Sequence, residues 1–143
     1  MSHFYVIDTN VVVAGLITAQ ADSPVVRILD GMLGAALPFV LSPALLAEYR
    51  AVLMCPKLVK LHGLEGEQID TVLTDLARHA IVLSPAAQLA TAPAPDPGDR
   101  FLWDLLGLRT DLILVTGDKR LLDDTTMRPR VISPLSLLTC LQH

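Results

Sequence analysis

Leu112-Ile113-Leu114-Val115-Thr116-Gly117-Asp118 sets four consecutive apolar residues against a short turn that ends in a carboxylate. A strand with one face in water alternates apolar and polar side chains. A strand that is apolar throughout must be covered on both faces, as in a parallel sheet flanked by helices. The same pattern appears at Phe4 to Ile7, which ends at Asp8, and at Phe39 to Leu41, Ile81 to Leu83 and Val131-Ile132. Between these runs lie helix signatures. Ser23-Pro24, Ser42-Pro43 and Ser133-Pro134 each offer a capping hydroxyl and a proline at the first helical position. Val25, Val26, Ile28, Leu29 and Met32 follow the first pair, and Leu45, Leu46, Tyr49, Val52 and Leu53 form one face after the second. Residues 67–79 place Ile69, Val72, Leu73, Leu76 and Ala77 on a stripe opposite acids, and Phe101 to Leu108 reads as a helix opening just after Asp99.

Strands alternating with amphipathic helices predict the α/β class: a three-layer α/β/α sandwich around a mostly parallel, roughly five-stranded sheet. At 143 residues the chain is expected to be a single domain, residues 1–143, long enough to bury a full core. Ala92-Pro93-Ala94-Pro95-Asp96-Pro97-Gly98 must be a loop, since three prolines exclude helix and central strand. Hydrophobic residues make up 52% of the chain, yet no apolar run is long enough to span a bilayer, and no secretory signal opens it. Cys55 and Cys140 have neither disulfide-framework nor metal-ligand spacing, so they read as two reduced, mostly buried thiols in a cytoplasmic protein. A net charge of −4 is the wrong sign for holding nucleic acid by a basic surface alone, though acids gathered in one metal-binding pocket would produce the same total.

In open α/β sheets ligands lie beyond the carboxyl ends of the strands. Asp8 and Asp118 follow the first and fourth strands, and Asp99 sits where the proline-rich loop enters a helix. Glu48 lies at the margin of an apolar helix stripe, placed to reach over the sheet edge. Each has an ordinary use: aspartates cap turns and helices at such junctions, and helix glutamates face water. Together they suggest something else. Converging carboxylates repel one another unless protons or cations neutralise them, and hard divalent cations with oxygen ligands do this well. Thr9, Asn10 and Thr116 could steady ligands or a water from behind. Lys119, Arg120 and Arg100 flank the acids and could meet phosphates. The four histidines are scattered and show no catalytic pairing, and Met32, Met54, Met127 and Trp103 read as packing.

Four segments carry a resemblance. Val6-Ile7-Asp8-Thr9-Asn10-Val11-Val12-Val13-Ala14, Leu41-Ser42-Pro43-Ala44-Leu45-Leu46-Ala47-Glu48-Tyr49, Asp96-Pro97-Gly98-Asp99-Arg100-Phe101-Leu102 and Val115-Thr116-Gly117-Asp118-Lys119-Arg120-Leu121-Leu122 occur in that order. In them the chain resembles a PIN domain, of the compact bacterial and archaeal kind that serves as the VapC-type toxin of toxin–antitoxin pairs. The resemblance implies a PIN-like parallel-sheet sandwich, RNA cleavage dependent on magnesium or manganese, and often a homodimer inhibited by a small antitoxin. By position, Asp8, Glu48, Asp99 and Asp118 match the family's acidic quartet, as catalytic residues and metal ligands. The third site usually reads Asp-Pro-Asp-Asp before a basic residue; here Gly98 replaces the middle acid, leaving Asp99, which directly precedes the helix, with Asp96 as the alternative or a supporting neighbour. Two other readings stand beside this one. A PIN-like module could bind RNA or protein without cleaving. A haloacid-dehalogenase-type phosphatase would need a second aspartate where this chain has Asn10.

Overall fold

β1 (Phe4–Ile7) is the middle strand of a five-stranded sheet ordered β3-β2-β1-β4-β5, in which every pairing is parallel. The computed structural model describes residues 3–84, 100–125 and 127–141. Tyr5 pairs with Phe39 of β2 (Phe39–Leu41) on one side and with Ile113 of β4 (Leu112–Val115) on the other. The edges are β3 (Ile81–Val82) and β5 (Val131–Ile132). Val6, Ile7, Val40, Leu41, Leu114 and Val115 are fully or almost fully buried, as expected of strands covered on both faces. The α/β sandwich predicted from the apolar runs is the architecture found, with eight α-helices among the described residues.

The helices that open on a Ser-Pro pair are α2 (Pro24–Leu33), α3 (Pro43–Leu53) and α8 (Pro134–Leu141). The Ser42 hydroxyl accepts from the Leu45 amide at 3.1 Å and the Ser133 hydroxyl from the Ser136 amide at 3.1 Å, each satisfying an amide that has no helical acceptor. Ser23 makes no such bond, so there the proline alone sets the start. α5 (Gly66–His79) buries Ile69, Leu73 and Leu76 and carries a capping box between Glu65 and Gln68. α6 (Arg100–Leu106) buries Leu102, Trp103, Leu105 and Leu106.

Three helices were not expected. α1 (Thr9–Ile17) contains Val11-Val12-Val13, and buried residues lie all around it, so no amphipathic stripe marks it. α4 (Pro56–His62) buries no residue, and it stops at Gly63, whose φ of 69° is the left-handed conformation that glycine adopts freely. α7 (Lys119–Leu122) is a single turn. Gly15 lets α1 meet α2 closely: a Cβ there would lie 2.9 Å from the Val25 carbonyl oxygen and 3.1 Å from Leu29 Cβ.

Cys55 and Cys140 are exposed, which corrects the expectation of buried thiols. Cys55 immediately precedes α4, a helix with no buried face, and Cys140 lies in the last turn of α8, beyond the buried Leu137 and Leu138. The proline-rich loop expected at 92–98, with Asp96, and Asp99 after it, lies outside the described residues. Among those described, no helix is long and apolar enough to cross a membrane.

Candidate active site

Strand order reverses direction at β1: the chain runs outward from β1 to β2 and β3, then crosses back to β4 and β5. Such a reversal opens a crevice beyond the carboxyl ends of the two strands it separates, since their following helices leave to opposite sides. Asp8 ends β1 and Asp118 follows β4, so both stand at this crevice. Glu48 reaches it from α3. The three carboxylates line one cavity of about 410 Å³, together with Thr9, Asn10 and the apolar Val13, Ala14, Ile17, Val52 and Phe101.

Asp8 is 7% exposed and hydrogen-bonded at both oxygens. Its Oδ1 accepts from the Thr9 amide at 2.8 Å, which caps α1; its Oδ2 accepts from the Thr116 hydroxyl at 2.8 Å and from Asn10 Nδ2 at 3.1 Å. Thr116 is fully buried, and its hydroxyl is used to capacity: it donates to Asp8 and accepts from Asn10 Nδ2 at 3.2 Å and from the Asp118 amide at 3.0 Å. Asn10 Oδ1 closes the loop by accepting from the Gly117 amide at 3.0 Å. One network thus fixes both strand ends to each other. Thr9, Asn10 and Thr116, expected to support the site from behind, all stand beside Asp8.

Burial pushes the Asp8 carboxyl above the ordinary carboxylate range, with the charge of Asp118 adding to the rise and the three hydrogen bonds opposing it. Asp118 differs. Hydrogen bonds from Arg120 hold its carboxyl below the ordinary range, the closest being from the Arg120 amide at 2.9 Å and the guanidinium at 3.1 Å. Asp118 also caps α7. The capping roles and the crevice location therefore coexist on the same two residues.

Glu48 is exposed on α3, and the next residue explains its placement. Tyr49 is fully buried, and its hydroxyl donates to the Ile7 carbonyl, the peptide just before Asp8. This single polar atom in the α3 stripe pins the helix to the end of β1, a role that an apolar-face reading of Tyr49 passes over. Burial raises the Tyr49 hydroxyl well above its ordinary range, so it remains a donor. Arg130 was missed as well. Its guanidinium donates to the carbonyls of Leu106, Arg109 and Leu112 at 2.8, 2.6 and 3.1 Å, joining the end of α6 to the start of β4. A lone arginine in a short Arg-Pro-Arg turn gives no sequence signal of that task. Of the expected basic residues, Lys119 and Arg120 are exposed beside Asp118, and Arg100 pairs with Asp104 at 3.1 Å.

A family model described as PIN domain matches residues 5–120. The chain belongs to the PIN-domain family. PIN domains are nucleases that act on RNA and typically use divalent metals. No curated protein matches this chain. The pocket of this PIN domain suits a hard cation by its polar lining, which is carboxylates, the Thr9 hydroxyl and the Asn10 amide without sulfur or imidazole. The Thr9 hydroxyl is buried without a hydrogen-bond partner beside the same pocket, an unspent oxygen. Among the described residues no three acids, histidines or cysteines stand close enough together to form a ready-made ligand cluster.

Proposed function

We propose that this PIN domain is a metal-dependent endoribonuclease using Mg2+ or Mn2+, and that it is the toxin of a type II toxin–antitoxin pair. The observation that carries the reading is that Asp8, Glu48 and Asp118 line one cavity where the sheet reverses direction. Asp8, Glu48, Asp118 and Asp99 are the residues proposed to hold the cation and serve catalysis, with Asp96 the alternative to Asp99. When bound, the cation supplies an activated water and stabilises the attacking and leaving oxygens of a phosphodiester. The chain's own residues prepare for it. Thr116 and Asn10 orient the Asp8 carboxylate, and Arg100, Lys119 and Arg120 are the residues proposed to meet backbone phosphates.

Residues 1–143 are proposed to be one PIN domain, because Leu121, Leu137 and Leu138, past the end of the matched segment, join the same hydrophobic core. The proposed setting is cytoplasmic, as a homodimer with a small antitoxin. The wild-type protein should cleave RNA with magnesium and stop on chelation, while Asp8→Asn should fold and lose cleavage. Undiminished, chelator-resistant cleavage by that variant would sink the assignment. For the toxin reading, the product of the adjacent small gene should copurify with the protein; consistent failure to copurify counts against it.

A further inference from the structure

Asp118 stands in the cleft with a positive group already bound to it. Its Oδ1 accepts from the Arg120 amide at 2.9 Å and from Nε of the same residue at 3.4 Å, and its Oδ2 accepts from the guanidinium Nη2 at 3.1 Å. The guanidinium thus meets the carboxylate with both prongs, the pairing for which the two groups are shaped. Asp8, by contrast, accepts from neutral groups. Three of the roughly four acceptor directions of the Asp118 carboxylate are in use. The same residue lines the cavity it shares with Asp8 and Glu48, and also a second cavity of about 410 Å³ that has Asn10, Ala14 and Asp118 in common with the first. A divalent ion on Asp118 would set two positive charges against one carboxylate, so ion and guanidinium compete for it.

We propose that Arg120 exchanges partners: it pairs with Asp118 in the metal-free protein and, when a divalent cation takes that carboxylate, turns to an RNA backbone phosphate, so that ion and RNA bind cooperatively. The inference rests on the metal-dependent ribonuclease reading above and deepens it. Asp8 and Asp118 stand close enough for the charge of one to act on the other, and Arg120 supplies a countercharge there until the ion makes it superfluous. The guanidinium offers phosphate oxygens the same fork that it offers a carboxylate. Its side chain is 63% exposed, against 24% for Asp118, so it turns through water rather than through packed core. The prongs cannot serve both partners at once. The ion therefore favours the arrangement ready for phosphate, and phosphate, by drawing Arg120 away, favours the ion by the same factor. Exposed ion pairs are weak, which limits that factor to about two- to fivefold. Lys119 is the natural control, since it is exposed one residue away and makes no bond to Asp118 among the described residues.

Two measurements on the full chain test the exchange. In nuclear magnetic resonance spectra the Arg120 Nε–H signal, identified by its loss in Arg120→Gln, should start at the position of a paired guanidinium and move to that of arginine in water as magnesium is added. The second measurement is binding of a short oligoribonucleotide, with a phosphorothioate backbone to resist cleavage, followed by fluorescence anisotropy with and without manganese. Manganese should strengthen wild-type binding about two- to fivefold more than it strengthens Arg120→Gln binding. Lys119→Gln should bind more weakly in both conditions yet keep the wild-type gain. Glutamine at position 120 retains the backbone amide that Asp118 accepts, so the cap of α7 survives the substitution. An Arg120 signal unmoved at saturating magnesium overturns the exchange, and so does an equal manganese gain in wild type and Arg120→Gln. A gain lost to the same extent in Lys119→Gln also overturns it, because positive charge in general would then account for the coupling. If the wild type fails to bind manganese in calorimetric titration, or fails to bind the oligoribonucleotide, the metal-dependent ribonuclease reading fails, and the exchange with it.

Discussion

Thr116 shows how much one hydroxyl can organise. It touches both carboxylate-bearing strand ends, and no other side-chain atom among the described residues bonds to both the Asp8 carboxylate and the Asp118 backbone. Thr116→Val keeps the shape but leaves the Asp118 amide without this acceptor and Asp8 without its closest side-chain donor. Removing one partner of a buried hydrogen bond costs about 1–3 kcal/mol, because the abandoned group has already left water. The variant should therefore melt earlier than wild type. Its manganese affinity by calorimetry should fall roughly 10- to 100-fold, the usual cost of losing a supporting contact. Thr116→Ser, which retains the hydroxyl, should recover most of both. Unchanged manganese binding by Thr116→Val would mean the network serves folding alone. This hydroxyl was legible as a supporting group because it stands two residues before Asp118, just past an apolar strand. Tyr49 was legible only as apolar surface, since nothing in a helical stripe says which phenol will find a carbonyl.

At the scale of elements, legibility followed the boundary signals. β2 and α3 could be read because a wholly apolar strand runs directly into a Ser-Pro helix start. α1 could not, because a helix buried all around carries no stripe and its three valines suit a strand as well. Yet α1 is the element that begins at Asp8 and lines both cavities of the cleft. Its seating depends on Gly15, where α1 crosses α2 with no space for a side chain. A methyl group there would approach the backbone oxygen of Val25, and backbone cannot swing aside as a side-chain end can. Gly15→Ala should therefore destabilise the protein by about 1–3 kcal/mol, despite alanine's better helix propensity, through forced separation of the two helices. Chemical denaturation measures this directly; a stabilised variant would show that α1 and α2 can part without loss.

Over the whole molecule, sheet order was the property the sequence left open. Strand composition reports burial on both faces, whereas neighbour relations arise from where each helical crossover returns the chain. The reversal at β1 nevertheless decides which acids meet, and Asp8 there contrasts with Asp111 at the start of β4. Asp8 is an acid that the fold disfavours as an anion: burial raises its pKa above the ordinary 3.8. Asp111 is an acid that the fold favours as an anion: the Arg109 guanidinium, bonded to it at 2.9 and 2.5 Å, lowers its pKa below 3.8. Their effects on stability have opposite signs. The folded state binds the Asp8 proton more tightly than the unfolded chain does, so the metal-free protein loses stability as pH rises from 3.8 through the elevated value. For Asp111 the unfolded chain binds the proton more tightly, so its contribution is present above 3.8 and disappears as pH falls through the lowered value. In metal-free melting curves, Asp8→Asn should thus gain on wild type as pH rises from the acid range to neutrality. Asp111→Asn should lose on wild type at neutral pH, and the gap should close in acid. Adding manganese should raise the melting temperature of the wild-type and Asp111→Asn proteins at neutral pH and leave Asp8→Asn unmoved, because an ion that binds only the folded state stabilises it by mass action. Parallel pH profiles for the two variants would contradict the contrast, and a manganese shift retained by Asp8→Asn would remove Asp8 from the metal site.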